Sequence, residues 1–177
     1  MDKTLSCPLP SNINPLSPNG FNFTIQKIPS VNFFCQQVNL PGLTFGDPSF
    51  ATPFASVPIP GDYITYDNLS VNFLIDEAMA NYRAIWNWII ALGFPQSYDQ
   101  YVTFINADQS GALSELAKNY SDGSLEILGG SNTAVATIQF VDMFPVALDT
   151  VLFQSTNQDV PYIVGQATFR YSYYKFI

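Results

Sequence analysis

At 177 residues the chain has room for one domain with a core of its own, and not for two of ordinary size. Hydrophobic residues make up 47% and aromatics 15%, whereas charged residues reach 11%, under half of the roughly 25% usual in a soluble domain; so little charge for so much apolar bulk predicts a surface largely covered by other protein. A net charge of −8 has the wrong sign for gripping phosphate backbones, and the lack of histidine excludes Ser-His-Asp and Cys-His catalysis and most zinc sites.

Residues 1–20 contain Pro8, Pro10, Pro15 and Pro18 among Ser and Asn, with no period. They read as an arm, loose or laid across a neighbour, ahead of one folded unit at 21–177. That stretch has no apolar core for a signal peptide, and no run in the chain approaches the roughly 20 apolar residues of a membrane-spanning helix. The expectation is therefore a chain made in the cytoplasm, without a membrane partner, whose Cys7 and Cys35 stay reduced.

From Phe21 the sequence alternates: Phe21, Phe23 and Ile25 against Asn22, Thr24 and Gln26, the period of a strand with one buried face. A second strand is expected over 32–40. Pro41, Gly42, Pro48, Pro53, Pro58, Pro60 and Gly61 then interrupt a stretch holding Phe45, Phe50 and Phe54. No central strand survives that many prolines, so this is a projecting loop or edge hairpin, its aromatics buried either on its own core or on a second subunit. Leu69, Val71, Phe73 and Ile75 alternate with Ser70, Asn72 and Leu74, predicting a further strand.

A helix is expected to follow, with Asp76 as N-cap, Glu77 in its first turn, and Gly93 and Pro95 as the stop. Tyr82, Ile85, Trp86, Ile89 and Ile90 form its buried face, widened by Trp88 and Leu92, which leaves only the line Ala80, Arg83, Asn87 and Ala91 for water. Residues 98–104 are amphipathic but short, and 106–122 are polar and turn-like. A β-hairpin is expected from 124–128 and 133–141 around the turn Gly129-Gly130-Ser131-Asn132, and a closing strand alternates through Phe169, Tyr171 and Tyr173. Strands, one helix, then strands without a βαβ rhythm predict a mainly β fold: an antiparallel sandwich or barrel with one flanking α-helix.

No catalytic constellation emerges. Adjacent Asp76 and Glu77 point about a quarter-turn apart on a helix and do not flank one substrate. Asn106, Asp108, Ser110 and Gly111 open like a calcium loop, but its twelfth position is Ala117, not the required Glu. The expectation is no enzyme, no metal and no cofactor. Tyr171, Tyr173, Tyr174 and Phe176 lack the basic groove of a single-strand binding platform, since only Arg170 and Lys175 accompany them, and read as core or interface packing. A carbohydrate-binding β-sandwich and a carboxylate-based hydrolase are the rival classes; Trp86 and Trp88 within the helix argue against the first.

The run 57–90, VPIPGDYITYDNLSVNFLIDEAMANYRAIWNWII, resembles the signature of the tail-tube fold of contractile-tailed bacteriophages: a Pro-Gly turn, an aromatic-Asp-x-Leu strand, an Asp-Glu pair and an aromatic-rich helix. Residues 33–42, 140–145 and 167–174 are similar to the flanking strands of that family. Within it, the strand-helix segment looks most like the tail terminators of T4-like phages, the tail completion and sheath stabiliser proteins.

The resemblance implies a virion structural protein: a homo-hexameric ring whose sheets join into a barrel, capping the head-proximal end of the tube. It would dock to tube, sheath and neck while DNA passes through the bore unbound. The repeating tube subunit and the baseplate initiator are the alternatives within the family. An acidic bore would repel phosphates and let DNA slide. Phe45, Phe50, Phe54, Trp88, Phe169, Tyr171 and Tyr173 are the candidate subunit-interface residues.

Overall fold

Strand β7 (Leu69–Leu74) organises the molecule, because its alternation places Leu69, Val71 and Phe73 wholly inside and Ser70 and Asn72 on the other face. The computed structural model describes residues 16, 18–29, 31, 34–107, 117–154 and 162–177. The expected arm at 1–20 thus lies mostly outside the described residues, as do 108–116 of the calcium-loop resemblance. Before β7 come β1 (Phe21–Ile25), β2 (Cys35–Val38), β3 (Leu43–Phe45), β4 (Ser49–Ala51), β5 (Ser56–Pro58) and β6 (Ile64–Tyr66). After it come helices α1 (Ala80–Gly93) and α2 (Asp99–Ala107), a 3₁₀ turn at Ala117–Asn119, and β8 (Ser121–Leu128), β9 (Ala134–Leu148), β10 (Val164–Arg170) and β11 (Tyr173–Phe176).

The fold is a mainly antiparallel β structure. Strands β1 to β2 follow the order β1-β8-β9-β10-β7-β2, with β11 also on β9. The first half of β9 lies between β8 and β11, and its second half pairs with β10, so β9 belongs to two sheets. The crossing is visible in its burial: Ile138 and Phe140 point inward, then Met143 and Pro145 do, a slip of one residue. Asp142, at φ 54°, absorbs that slip as a bulge, which bends the strand while keeping its apolar side on the core. The closing segment breaks at the same level, with Tyr171 and Ser172 separating β10 from β11. The Ser172 amide donates to the Val141 carbonyl (2.9 Å), and the Ser172 hydroxyl to the Asp142 carboxylate (3.3 Å). The alternation expected to continue through Phe169, Tyr171 and Tyr173 is therefore interrupted: Phe169 is buried, Tyr171 half-buried and Tyr173 exposed.

The core lies between the two sheets. Phe23, Ile25, Leu125, Ile138 and Phe140 come from one, and Leu69, Val71, Phe73, Ala167 and Phe169 from the other. Ile85 and Trp88 of α1 complete it. Gly165 faces Phe73 across the β10–β7 ladder, and a Cβ there would meet the Phe73 ring at 3.1 Å, so the ring occupies the space a side chain would take.

Helix α1 differs from expectation at its start. It begins at Ala80, with Met79 as N-cap in the left-handed region (φ 53°), so Asp76 is not the cap and Glu77 is not in the first turn. Asp76 still serves the helix from a distance, its carboxylate accepting the Asn81 amide (3.3 Å). The stop falls where Gly93 and Pro95 predict it, although the left-handed residue is Phe94. The buried stripe is Asn81, Ile85, Trp88 and Ala91, so Ala91 is inside and Trp86, expected inside, is 48% exposed. A helix apolar on nearly every side carries no signal for its own rotation; the sheets' demand for Trp88 decides it.

Candidate assembly surfaces

Residues 43–66 form a nested antiparallel arm. β3 pairs with β6 at its base and β4 with β5 further out. Gly46 and Gly61 allow the two halves to close: the Gly61 amide donates to the Gly46 carbonyl (2.7 Å), and a Cβ on Gly61 would lie 2.5 Å from that oxygen. The tip is a turn over 52–55 held three times, with the Thr52 amide donating to Ala55 O (3.0 Å), the Thr52 hydroxyl to the same oxygen (2.6 Å), and the Ala55 amide to Thr52 Oγ1 (3.1 Å). Phe45, Phe50 and Phe54 are all exposed, Phe54 at 98%. Of the two burial options the sequence left open, folding of this loop over its own core does not occur.

The base of the arm rests on the closing strands through aromatic edges. Tyr66 meets Tyr171 and Tyr174 at 5.8 and 5.7 Å between ring centres, and Phe140 meets Tyr171 at 5.1 Å. The Tyr171 hydroxyl donates to Asp67 O (2.9 Å) and the Tyr174 hydroxyl to Pro41 O (3.3 Å). Burial first, then the charges of Tyr174, Asp67 and Tyr66, push the Tyr171 phenol above its ordinary range. Tyr171 thus anchors the arm, whereas Tyr173 on β11 is exposed.

Trp88 and Phe169 sit elsewhere. They are 1% and 0% exposed, with ring centres 6.4 Å apart, and the Trp88 indole N–H donates to Asn119 O (3.1 Å). The Lys27 ammonium lies over the rings of Trp88 (5.5 Å) and Phe104 (4.6 Å), tying the turn after β1 to both helices. These two side chains belong to the chain's own core and present no surface to another subunit. The sequence pattern marks them as needing cover but does not say that the chain supplies it.

The structure adds a feature that the sequence reading missed. Helix α2 occupies the stretch left unassigned, and between it and α1 runs a groove of about 490 Å³ lined by Trp86, Asn87, Ile90, Ala91, Ser97, Asp99, Gln100, Thr103 and Phe104. The recurrence of Tyr98, Tyr101, Val102 and Ile105 at helical spacing is the signal that marks α2.

Two outward sheet faces are polar. On the β1-β8-β9-β11 side, paired residues Asn22, Glu126, Thr137, Ser124, Gln139 and Lys175 share a face. Asp122 joins it, accepting from the Gln139 amide (3.4 Å) and from the Asp142 backbone N–H (3.3 Å), while Glu126 accepts from Asn22 (3.2 Å). On the other side Gln37, Ser70, Asn72, Gln166 and Thr168 form a polar face that ends at Arg170, with Gln166 donating to Ser70 (2.9 Å), Asn72 to Gln37 (3.2 Å) and Arg170 to Asn68 (3.2 Å). Among the described residues no group of three or more carboxylates and thiols is placed to hold a metal ion, and no helix is long and apolar enough to cross a membrane.

Solved structures share this fold. The chain is similar to a component of the six-fold symmetrised baseplate of the anti-feeding prophage, with a TM-score of 0.59 and 12% identity over 93% of this chain and 96% of that one. It is similar to the tube-terminating cap of the same particle, with a TM-score of 0.58 and 13% identity over 98% of each chain. The sheath/tube terminator of the PVC extracellular contractile injection system matches with a TM-score of 0.57 and 15% identity, over 93% of this chain and 97% of that one. No protein-family model matches the chain, and no curated protein matches it by sequence. At these identities the likeness is one of fold, and it spans nearly the whole of both chains.

Proposed function

We propose that this chain is a non-enzymatic structural component of a contractile tail, forming a hexameric ring that terminates the tail tube at the head-proximal end and docks to sheath and neck. The observation that carries the reading is the end-to-end fold likeness to the cap and terminator of two contractile particles. The 57–90 resemblance to phage tail terminators supports the same choice, and the exposed aromatic arm supports assembly, because an apolar hairpin tip left in water is a surface awaiting a partner. Tyr173, Phe45, Phe50 and Phe54 are assigned to subunit contacts. The outward face bearing Asp122 and Glu126 is assigned to the bore, where its carboxylates repel passing DNA phosphates.

Locating the chain along intact tails, by gold labelling of a tagged copy or by reconstruction of the tail ends, tests the reading. Label at the head-proximal end alone is the expected result. Label at every ring, as the likeness to the PVC sheath-tube complex allows (TM-score 0.53), makes it the repeating subunit. Label at the baseplate makes it an initiator, and absence from tails ends the proposal.

A further inference from the structure

We infer that the tip of the arm of one copy, led by Phe54, seats in the α1–α2 groove of a second copy, so that subunits join head to tail. The inference rests on the assembly reading above and names the contact by which copies meet. Four observations carry it.

The knob is preorganised. The three hydrogen bonds between Thr52 and Ala55 fix the turn from within, and Phe54 at its apex is 98% exposed. A side chain held out by a rigid turn loses little freedom on docking, which is the main cost of ordering a loop at an interface. The groove is also of the right size and chemistry. Its volume of about 490 Å³ falls within the roughly 300–1,000 Å³ typical of sites that enclose a group of this size. Trp86, Ile90 and Phe104 supply apolar surface, and the amides of Asn87 and Gln100 supply donors. An aromatic-lined groove suits the apolar ring of Phe54 and those of Pro53, Pro58 and Pro60, which are in or beside the tip.

Charge narrows the occupant further. Residues 49–60 contain no ionisable side chain, and the groove lining contains one, the exposed Asp99. A strongly basic partner would find a single carboxylate, and an acidic one would be repelled. An uncharged apolar tip desolvates no ion on either side. Finally, Phe54 does not enter the groove of its own chain, as its exposure states, and Trp86 in that groove remains half-exposed. Knob and socket on the same chain, each unfilled, define a heterologous interface, which closes into a ring or continues as a stack.

Two variants separate the halves of the contact. Phe54→Asp spoils the knob and keeps the groove; Thr103→Arg, at an exposed position, blocks the groove and keeps the knob. Circular dichroism and melting verify that both fold. In sedimentation velocity the wild-type chain should self-associate, with tryptophan emission moving to the blue as Trp86 is covered. Each variant alone should associate at least roughly 30-fold more weakly, as loss of a central aromatic anchor does. Mixed together, they should form a one-to-one dimer and nothing larger, with about half of the blue shift restored, since one intact knob and one intact groove remain and one Trp86 of the two is covered.

A mixture that stays monomeric overturns the contact. Variants that assemble as the wild type does also overturn it while leaving the tail reading intact, because assembly then uses another surface. A wild-type chain that stays monomeric at its highest soluble concentration overturns the contact too, and the tail reading is then judged by position along particles. Recovery from tails of the groove cross-linked to a protein other than this chain overturns the choice of occupant.

Discussion

Asn81 shows how one polar side chain sets the start of a helix. It is 1% exposed, its amide donates to Leu74 O (2.6 Å), and its carbonyl oxygen accepts from the Tyr82 amide (2.8 Å) and the Asp76 amide (3.4 Å). The side chain thereby joins the end of β7 to the first turn of α1, in place of a conventional cap. Asn81→Ala leaves those buried backbone groups without partners and should cost about 2–3 kcal/mol, read as a fall in Tm of roughly 5–10 °C. Cys35 offers a pH test. Burial, partly offset by a hydrogen bond from the Gln37 backbone, raises the thiol from 9.0 to about 11. The protonated form is thus favoured by folding: this contribution to stability is whole below pH 9 and is lost as pH rises through about 11. Alkylation of Cys35 in the folded chain at pH 8, followed by peptide mapping, should be at least about tenfold slower than in the unfolded chain.

At the scale of elements, the arm is separable from the sandwich. None of its residues belongs to the core cluster, and its two halves are joined by the short β3–β6 and β4–β5 ladders, which close on each other at Gly46 and Gly61. Gly61→Val drives a side chain into the Gly46 carbonyl and should splay the arm. The melting temperature should stay within about 2 °C, as for a surface substitution, while self-association falls. A large drop in melting temperature would instead make the arm part of the folding unit. Helices α1 and α2 show the opposite coupling. Trp88 serves the sheets, so Trp86, two residues before it and therefore about 200° round the helix, is turned toward α2 and the groove.

At the scale of the whole molecule, the low charge content and the acidic balance act together. Copies carrying −8 repel one another, whereas the surfaces proposed for contact, the arm tip and the groove, are nearly uncharged. Raising salt from 0.1 to 1 M shortens the Debye length from about 10 to about 3 Å, which removes the repulsion and leaves the apolar contact in place. Self-association measured by light scattering should therefore strengthen with salt. Weakening with salt would point to ion pairs at the interface and against this arrangement.

The sequence by itself determined which segments alternate and which bend. The inward set Leu69, Val71 and Phe73, the β8–β9 hairpin around Gly129 and Asn132, the proline-broken projection holding Phe45, Phe50 and Phe54, and the helix ending near Gly93 were all legible, because period and turn chemistry are local properties. What only the tertiary structure decided was the matching of one element to another. The bend at Asp142 that lends β9 to two sheets, the rotation of α1 that buries Trp88 and exposes Trp86, and the capture of Trp88 and Phe169 by the core depend on residues far apart in the chain. An apolar side chain states only that it requires cover; whether its own fold or a neighbour provides that cover is settled by which surfaces meet in space.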